Sequence, residues 1–221
     1  MLSFDLDLPD LLIGWVRAKG VTVGESPPAL ATELDVLVAE PTRWGLDDAT
    51  RVGIRGLLRG HGYKPSGRGK PASEFLVRAA TDGTFPRINN LVDINNLVSL
   101  ESGWPISILD ADRAGADDLV LRHGRPDEAY VFNPAGHEIG LNGLLCVAVP
   151  DGAALGNPVK DSMTTKLSAE TDRVLGVIYA SRQVADEEQV AVAAARLAGL
   201  IEEHAGAGTI ASGVLGPTAG A

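Results

Sequence analysis

Five short apolar segments in the second half of the chain do most to limit its fold. They run Ile106–Leu109, Leu119–Arg122, Ala129–Phe132, Leu144–Val149 and Val174–Ala180, separated by Asp-, Gly- and Pro-rich turns. That short spacing predicts strands in antiparallel sheets. A helix follows from Asp186 to about His204. Asp186 stands as its cap with Gln189 three residues on, and Val190, Ala193, Leu197, Leu200 and Ile201 line its buried stripe.

The first half reads as two short strands, Leu11–Arg17 and Gly20–Gly24, followed by helices. One helix opens at Ser26-Pro27-Pro28 and runs to about Ala39, with Leu30, Leu34 and Leu37 on one face. A second runs from Asp47 or Asp48 to Leu58 and stops at Gly60 and Gly62. Its buried side is predicted to hold Val52, Ile54, Leu57 and Leu58. Pro71 suits the first turn of a third, and a fourth spans about Asn90–Leu100 and ends at Gly103 and Pro105. Residues from Gly206 onward are rich in Gly, Ala, Thr and Ser without a period, which predicts a flexible tail. With no clear linker, the expectation is a single α+β domain over 1–205: an extension of 1–60, a core of about 61–205 and a tail of 206–221.

Composition narrows the function classes. No apolar stretch approaches the roughly 20 residues of a membrane-spanning helix, and the first ten residues carry three Asp, unlike a secretory signal. A cytoplasmic protein is expected. The single cysteine, Cys146, lies in the apolar run Leu144–Val149 and reads as an inert core thiol. His61, His123, His137 and His204 lack metal-ligand spacing, so neither a metal nor a cofactor is expected.

The net charge of −10 argues against polyanions until its distribution is considered. Between Arg51 and Arg87 eight Lys/Arg face two acids, a local net of +6 that leaves −16 on the rest. Arg51, Arg55 and Arg59 stand at i, i+4, i+8, one stripe of a helix. The loop Gly62–Pro71 adds Lys64, Arg68 and Lys70 among glycines. It is not a nucleoside-triphosphate loop: Arg68 stands where that motif needs Lys, and no Ser or Thr follows Lys70. These six cations are candidates to contact a phosphate backbone, and solvated helix faces explain them equally well.

Two polar clusters could carry chemistry. One runs from Glu101 to Ser107 and on to Asp110, at a helix-to-strand turn. The other is the loop Gly156–Lys166, followed by Thr171 and Asp172. Lys160, Asp161 and Lys166 could orient a carbonyl or a water. Four Asn within eight positions, Asn89, Asn90, Asn95 and Asn96, are unusual for a helix and imply either a ligand or bracing of a neighbouring loop.

The stretch Asn90–Asp110 resembles the B3/B4 domain of the bacterial phenylalanyl-tRNA synthetase β subunit. Asn90, Val92, Asp93, Asn96, Val98, Glu101, Gly103, Pro105 and Asp110 meet that family's pattern at fixed spacing. The resemblance implies a layered β-β-α sandwich of mainly antiparallel sheets with packed helices. It also implies editing: hydrolysis of the aminoacyl ester of a mischarged tRNA, here in trans. In the family a His commonly follows the Pro by two positions, where this chain has Ser107, so tyrosine specificity does not carry over. Thr171 matches the family's pocket Thr. Taken with the two polar clusters and the basic window, this reading expects water attack on the ester with a catalytic set of Asn96, Ser107, Lys160, Asp161 and Thr171, and tRNA held by Arg51, Arg55, Arg59, Lys64, Arg68 and Lys70. Two alternatives stay open: a non-catalytic module that binds tRNA or an amino acid, and a small-molecule hydrolase or binding protein.

Overall fold

The computed structural model describes residues 1–59 and 61–217. Its elements, in chain order, are β1 (Leu2–Asp5), β2 (Leu11–Lys19), α1 (Pro28–Ala39), α2 (Asp48–Arg59), α3 (Ala72–Thr81) and α4 (Asn90–Ser102). Then follow β3 (Ile106–Asp110), β4 (Leu119–His123), β5 (Ala129–Val131), β6 (Glu138–Gly140), β7 (Leu145–Ala148), β8 (Ala154–Gly156), β9 (Arg173–Ser181), α5 (Glu187–Ala205) and β10 (Thr209–Leu215).

The strands build two four-stranded sheets, ordered β1-β4-β7-β8 and β10-β2-β9-β3, with β5 and β6 as a separate hairpin. All pairings between these strands are antiparallel except β1 with β4. Helices α4 and α5 pack on the second sheet, α1 and α3 pack on α4, and the sheets meet where β3 approaches β8. This is the layered α+β arrangement expected. Two paired strands lie unusually close to α5. A Cβ on Gly14 would stand 3.1 Å from Val190, and one on Gly176 would stand 2.9 Å from Leu197, so a side chain at either position would force these α5 side chains to shift. One contiguous core joins the layers, with Ile13, Leu121, Val147, Ile178 and Leu197 all fully buried.

Several expectations need correction. Gly20–Gly24 forms no strand: β2 runs unbroken to Lys19, and Gly20 turns the chain at φ 79°. The N-terminal strands join the same sheets as the rest: β2 is an inner strand of the second sheet and β1 pairs with β4. Residues 206–215 are ordered, against the expectation of a flexible tail. Gly206 closes α5 in the left-handed region at φ 71°, and Thr209–Leu215 returns as a strand along β2. An edge strand needs a backbone ladder and a few half-buried apolar groups, here Ile210, Val214 and Leu215, so its sequence carries little β signal. The expectation for 218–221 lies outside the described residues. On α2 the buried set is Thr50, Gly53, Ile54, Leu57 and Leu58, while Val52 is exposed.

Candidate functional site

Helix α4 is placed by its own polar residues. Asn89 caps it by accepting from the Val92 N–H, and Gly103 ends it at φ 75°. Asn90 Nδ2 donates to the carbonyls of Thr22 and His204, at 2.8 and 3.0 Å. Asp93 accepts from Ser26 Oγ and the Ile88 N–H, and Glu101 pairs with Arg196 of α5. With its ends fixed, α4 offers Asn95, Asn96 and Ser99 to a cleft of about 870 Å³. Phe75 and Leu76 of α3, Ile106 and Ile108 of β3, and Phe132 line the rest, together with Lys160, Asp161, Met163 and Lys166. Asp161 is the single carboxylate on this wall among the described residues.

The loop that carries Asp161 is held by Asn157. Its Oδ1 accepts from the N–H groups of Val159 and Lys160, each at 2.8 Å, and its Nδ2 donates to the Tyr130 hydroxyl. Tyr130 in turn donates to the Lys160 carbonyl at 2.6 Å. Asp161 Oδ1 accepts from Ser107 Oγ at 2.6 Å and from the Asn157 N–H at 3.3 Å. Space for the carboxylate exists because residue 156 is glycine: a Cβ there would stand 2.7 Å from Oδ1. Loss of hydration pushes the Asp161 carboxyl up to about 6, against the opposing pull of Lys166 and the Ser107 bond. A carboxylate with that affinity for protons can act as a base near neutral pH.

Lys160 stands where this cleft meets a second cavity of about 660 Å³, lined also by Tyr63, Arg68, Gly69, His137 and the β6 hairpin strand. Phe132 and Lys160 belong to both walls, with Lys160 Nζ 3.9 Å above the Phe132 ring. Burial, then the positive field of Arg68, pushes the Lys160 ammonium down from its usual range. Two cations at one junction disfavour each other and favour an anion between them.

The structure therefore brings together Asn96, Ser107, Lys160 and Asp161. It leaves Thr171 out. That hydroxyl donates to Asp110 Oδ2 at 2.6 Å and accepts from the Ser168 N–H, buried away from the cleft, where it braces a turn. Among the six cations, Lys64 and Arg68 are exposed on the loop beside the second cavity and Lys70 is half-buried. Arg59 is exposed at the end of α2, and Arg51 pairs with Asp48 of its own helix. Arg55 is not free for a ligand: it forms a bidentate pair with Glu74, at 2.6 and 2.5 Å, tying α2 to α3. Cys146 is buried in β7 with its thiol pushed up to about 12 by desolvation, inert as expected. Among the described residues no cluster of three or more potential ligands could hold a metal, and no helix is long and apolar enough to cross a membrane.

A protein-family model described as the B3/4 domain matches residues 67–206. The chain belongs to the B3/4 domain family. Among curated proteins, the phenylalanine–tRNA ligase β subunit of Halalkalibacterium halodurans is 33% identical over 150 residues, covering 58% of this chain and 18% of that one. The Bacillus subtilis β subunit is 31% identical over 148 residues, 57% of this chain and 18% of its own. The chain thus spans about a fifth of the length of these relatives. Among solved structures, an N-terminal fragment of the phenylalanyl-tRNA synthetase β subunit from Pyrococcus horikoshii shares the fold with a TM-score of 0.53 and 12% identity. It covers 95% of this chain and 49% of that fragment.

Most of the B3/4 signature seen in Asn90–Asp110 is scaffold. Asn90, Asp93, Glu101, Gly103 and Asp110 hold helix ends and turns, whereas Asn96 reaches the cleft. Sequence reasoning missed Tyr130, Asn157 and Tyr179. Asn157 before Pro158 was a readable turn signal, but the tyrosines sat in apolar strands with nothing to separate them from core residues.

Proposed function

We propose that this B3/4 domain hydrolyses the ester of mischarged aminoacyl-tRNA, in trans. The observation that carries the reading is Asp161, one carboxylate raised to about 6 on the wall of a mostly apolar cleft that meets a cavity lined by Arg68, Lys160 and Glu138. The aminoacyl group would occupy the 870 Å³ cleft and the terminal nucleotide the neighbouring cavity, with its phosphate near Arg68 and Lys160. Asp161 takes a proton from a water as that water attacks the ester carbonyl carbon. Lys160 and Lys166 stabilise the tetrahedral oxyanion. On collapse the ribose oxygen leaves with the proton returned from Asp161, which yields free amino acid and tRNA. Asn96 orients the substrate, and Ser107 holds the base.

A panel of correctly and wrongly charged tRNAs, followed for loss of the ester, tests this. Selective loss from one mischarged species is expected, with a rate that rises through about pH 6 as Asp161 ionises. Asp161→Asn should slow it by about 100-fold or more. Binding of tRNA without turnover would replace the hydrolase reading with that of a binding module.

A further inference from the structure

Three oxygens beside the cleft lie in single file. Ser107 of β3 and Tyr179 of β9 come from paired strands; Tyr179 Oη lies 3.1 Å from Ser107 Oγ, which lies 2.6 Å from Asp161 Oδ1. Each hydroxyl has one proton to give, and an ionised carboxylate can only accept. Ser107 therefore donates to Asp161, and its oxygen is left to accept from Tyr179. The other acceptor near Ser107, the Asn157 carbonyl, is 3.4 Å away and competes poorly with a charged oxygen at 2.6 Å. Tyr179 is fully buried, and Ser107 is the partner of its hydroxyl among the described residues. A phenol in the core is costly unless it is bonded. This one is kept in an otherwise apolar strand, Val174–Ala180, where Phe would fill the same space.

We propose that Tyr179 is a positioning residue for Asp161, acting through Ser107: the two hydroxyls form a one-way donor chain that fixes Oδ1 and leaves Oδ2 to face the substrate's water. The two bonds of good geometry that the carboxylate accepts, from Ser107 and from the Asn157 N–H, both fall on Oδ1, and the Ile108 N–H adds a weaker stabilising contact to the carboxylate. The proposal rests on the reading of Asp161 as the proton acceptor of the cleft. It adds that the acceptor's orientation and proton affinity are set from β9, on the side away from the ligand. Tyr179 itself touches no substrate.

Carbon-13 NMR of labelled aspartate carboxyls reads the chain without any substrate, with Asp161→Asn assigning the resonance. Ser107→Ala should move the Asp161 titration midpoint up by about one pH unit, the value of a hydrogen bond to a charged group. Tyr179→Phe, nearly isosteric, should move it the same way by less, since it removes only the polarising link. In the double variant the midpoint should equal that of Ser107→Ala alone, because Tyr179 acts through Ser107. An unmoved midpoint in Tyr179→Phe, or a shift that adds in full to that of Ser107→Ala, overturns the chain. The acid limb of deacylation should move in step with the NMR midpoint. An NMR shift with an unmoved acid limb would uphold the chain and reject Asp161 as the base.

Discussion

Two carboxylates, Asp161 and Glu128, show how environment sets the sign of a residue's contribution. Glu128 accepts a bidentate pair from Arg122, at 2.8 and 2.7 Å, and further bonds from the Arg125 and Ala154 N–H groups, which hold its carboxyl down at about 2. Asp161 goes the other way because lost hydration outweighs its bonds. For Glu128 the folded state favours the charged form. Its stabilisation is present above pH 4.5 and is lost as pH falls toward 2. For Asp161 the folded state favours the proton, so stability falls as pH rises from about 4 to about 6. Thermal melts should separate the two. Glu128→Gln should lose on the order of 2–3 kcal/mol at pH 7, fading in acid. Asp161→Asn should match the wild type near pH 4 and melt several degrees higher at pH 8, in exchange for the lost activity. A wild type more stable than Asp161→Asn at pH 8 would show that the carboxylate is not under strain.

At the scale of elements, readability followed the range of the interaction. The ends of α4 and α5 were legible because a cap and its partner lie within four residues, as with Asn89 and Val92 or Asp186 and Gln189. Thr171 was legible as a polar residue near a strand, but its partner Asp110 is 61 residues away and nothing local marks the pairing. The bond from Ser107 to Asp161 spans 54 residues and was hidden for the same reason. Strand β10 failed differently. Its stabilisation is a ladder of seven registered residues on β2, and backbone bonds leave no trace in side-chain pattern. It also lies against α5, so it covers an edge that would otherwise be open. A chain ended after Gly208 should therefore melt several degrees lower and associate in size-exclusion chromatography. An unchanged melt and a monomeric peak would show that β10 merely rests on the sheet.

Over the whole molecule, charge is distributed in a way that composition alone conceals. The acidic surplus of −10 repels polyanions generally, whereas Lys64, Arg68 and Lys70 gather on one loop beside the cavity that adjoins the cleft. The sequence marked these cations and Arg55 alike, since all fall in the same basic window. Folding sorts them, because Arg55 is committed to Glu74 and cannot release counterions from RNA. Reversing Lys64, Arg68 and Lys70 together to Glu should weaken tRNA binding by at least tenfold at moderate salt. It should also flatten the plot of log affinity against log salt by roughly 0.7–0.9 for each phosphate that is no longer neutralised. Arg55→Ala is the matched control. It should lower the melting temperature by leaving Glu74 of α3 unpaired, while the salt slope stays as in the wild type. Equal slopes in the triple variant and the wild type would place the RNA on another face. A flattened slope in Arg55→Ala would show that the α2 stripe, rather than the loop, leads the acceptor end to the cleft.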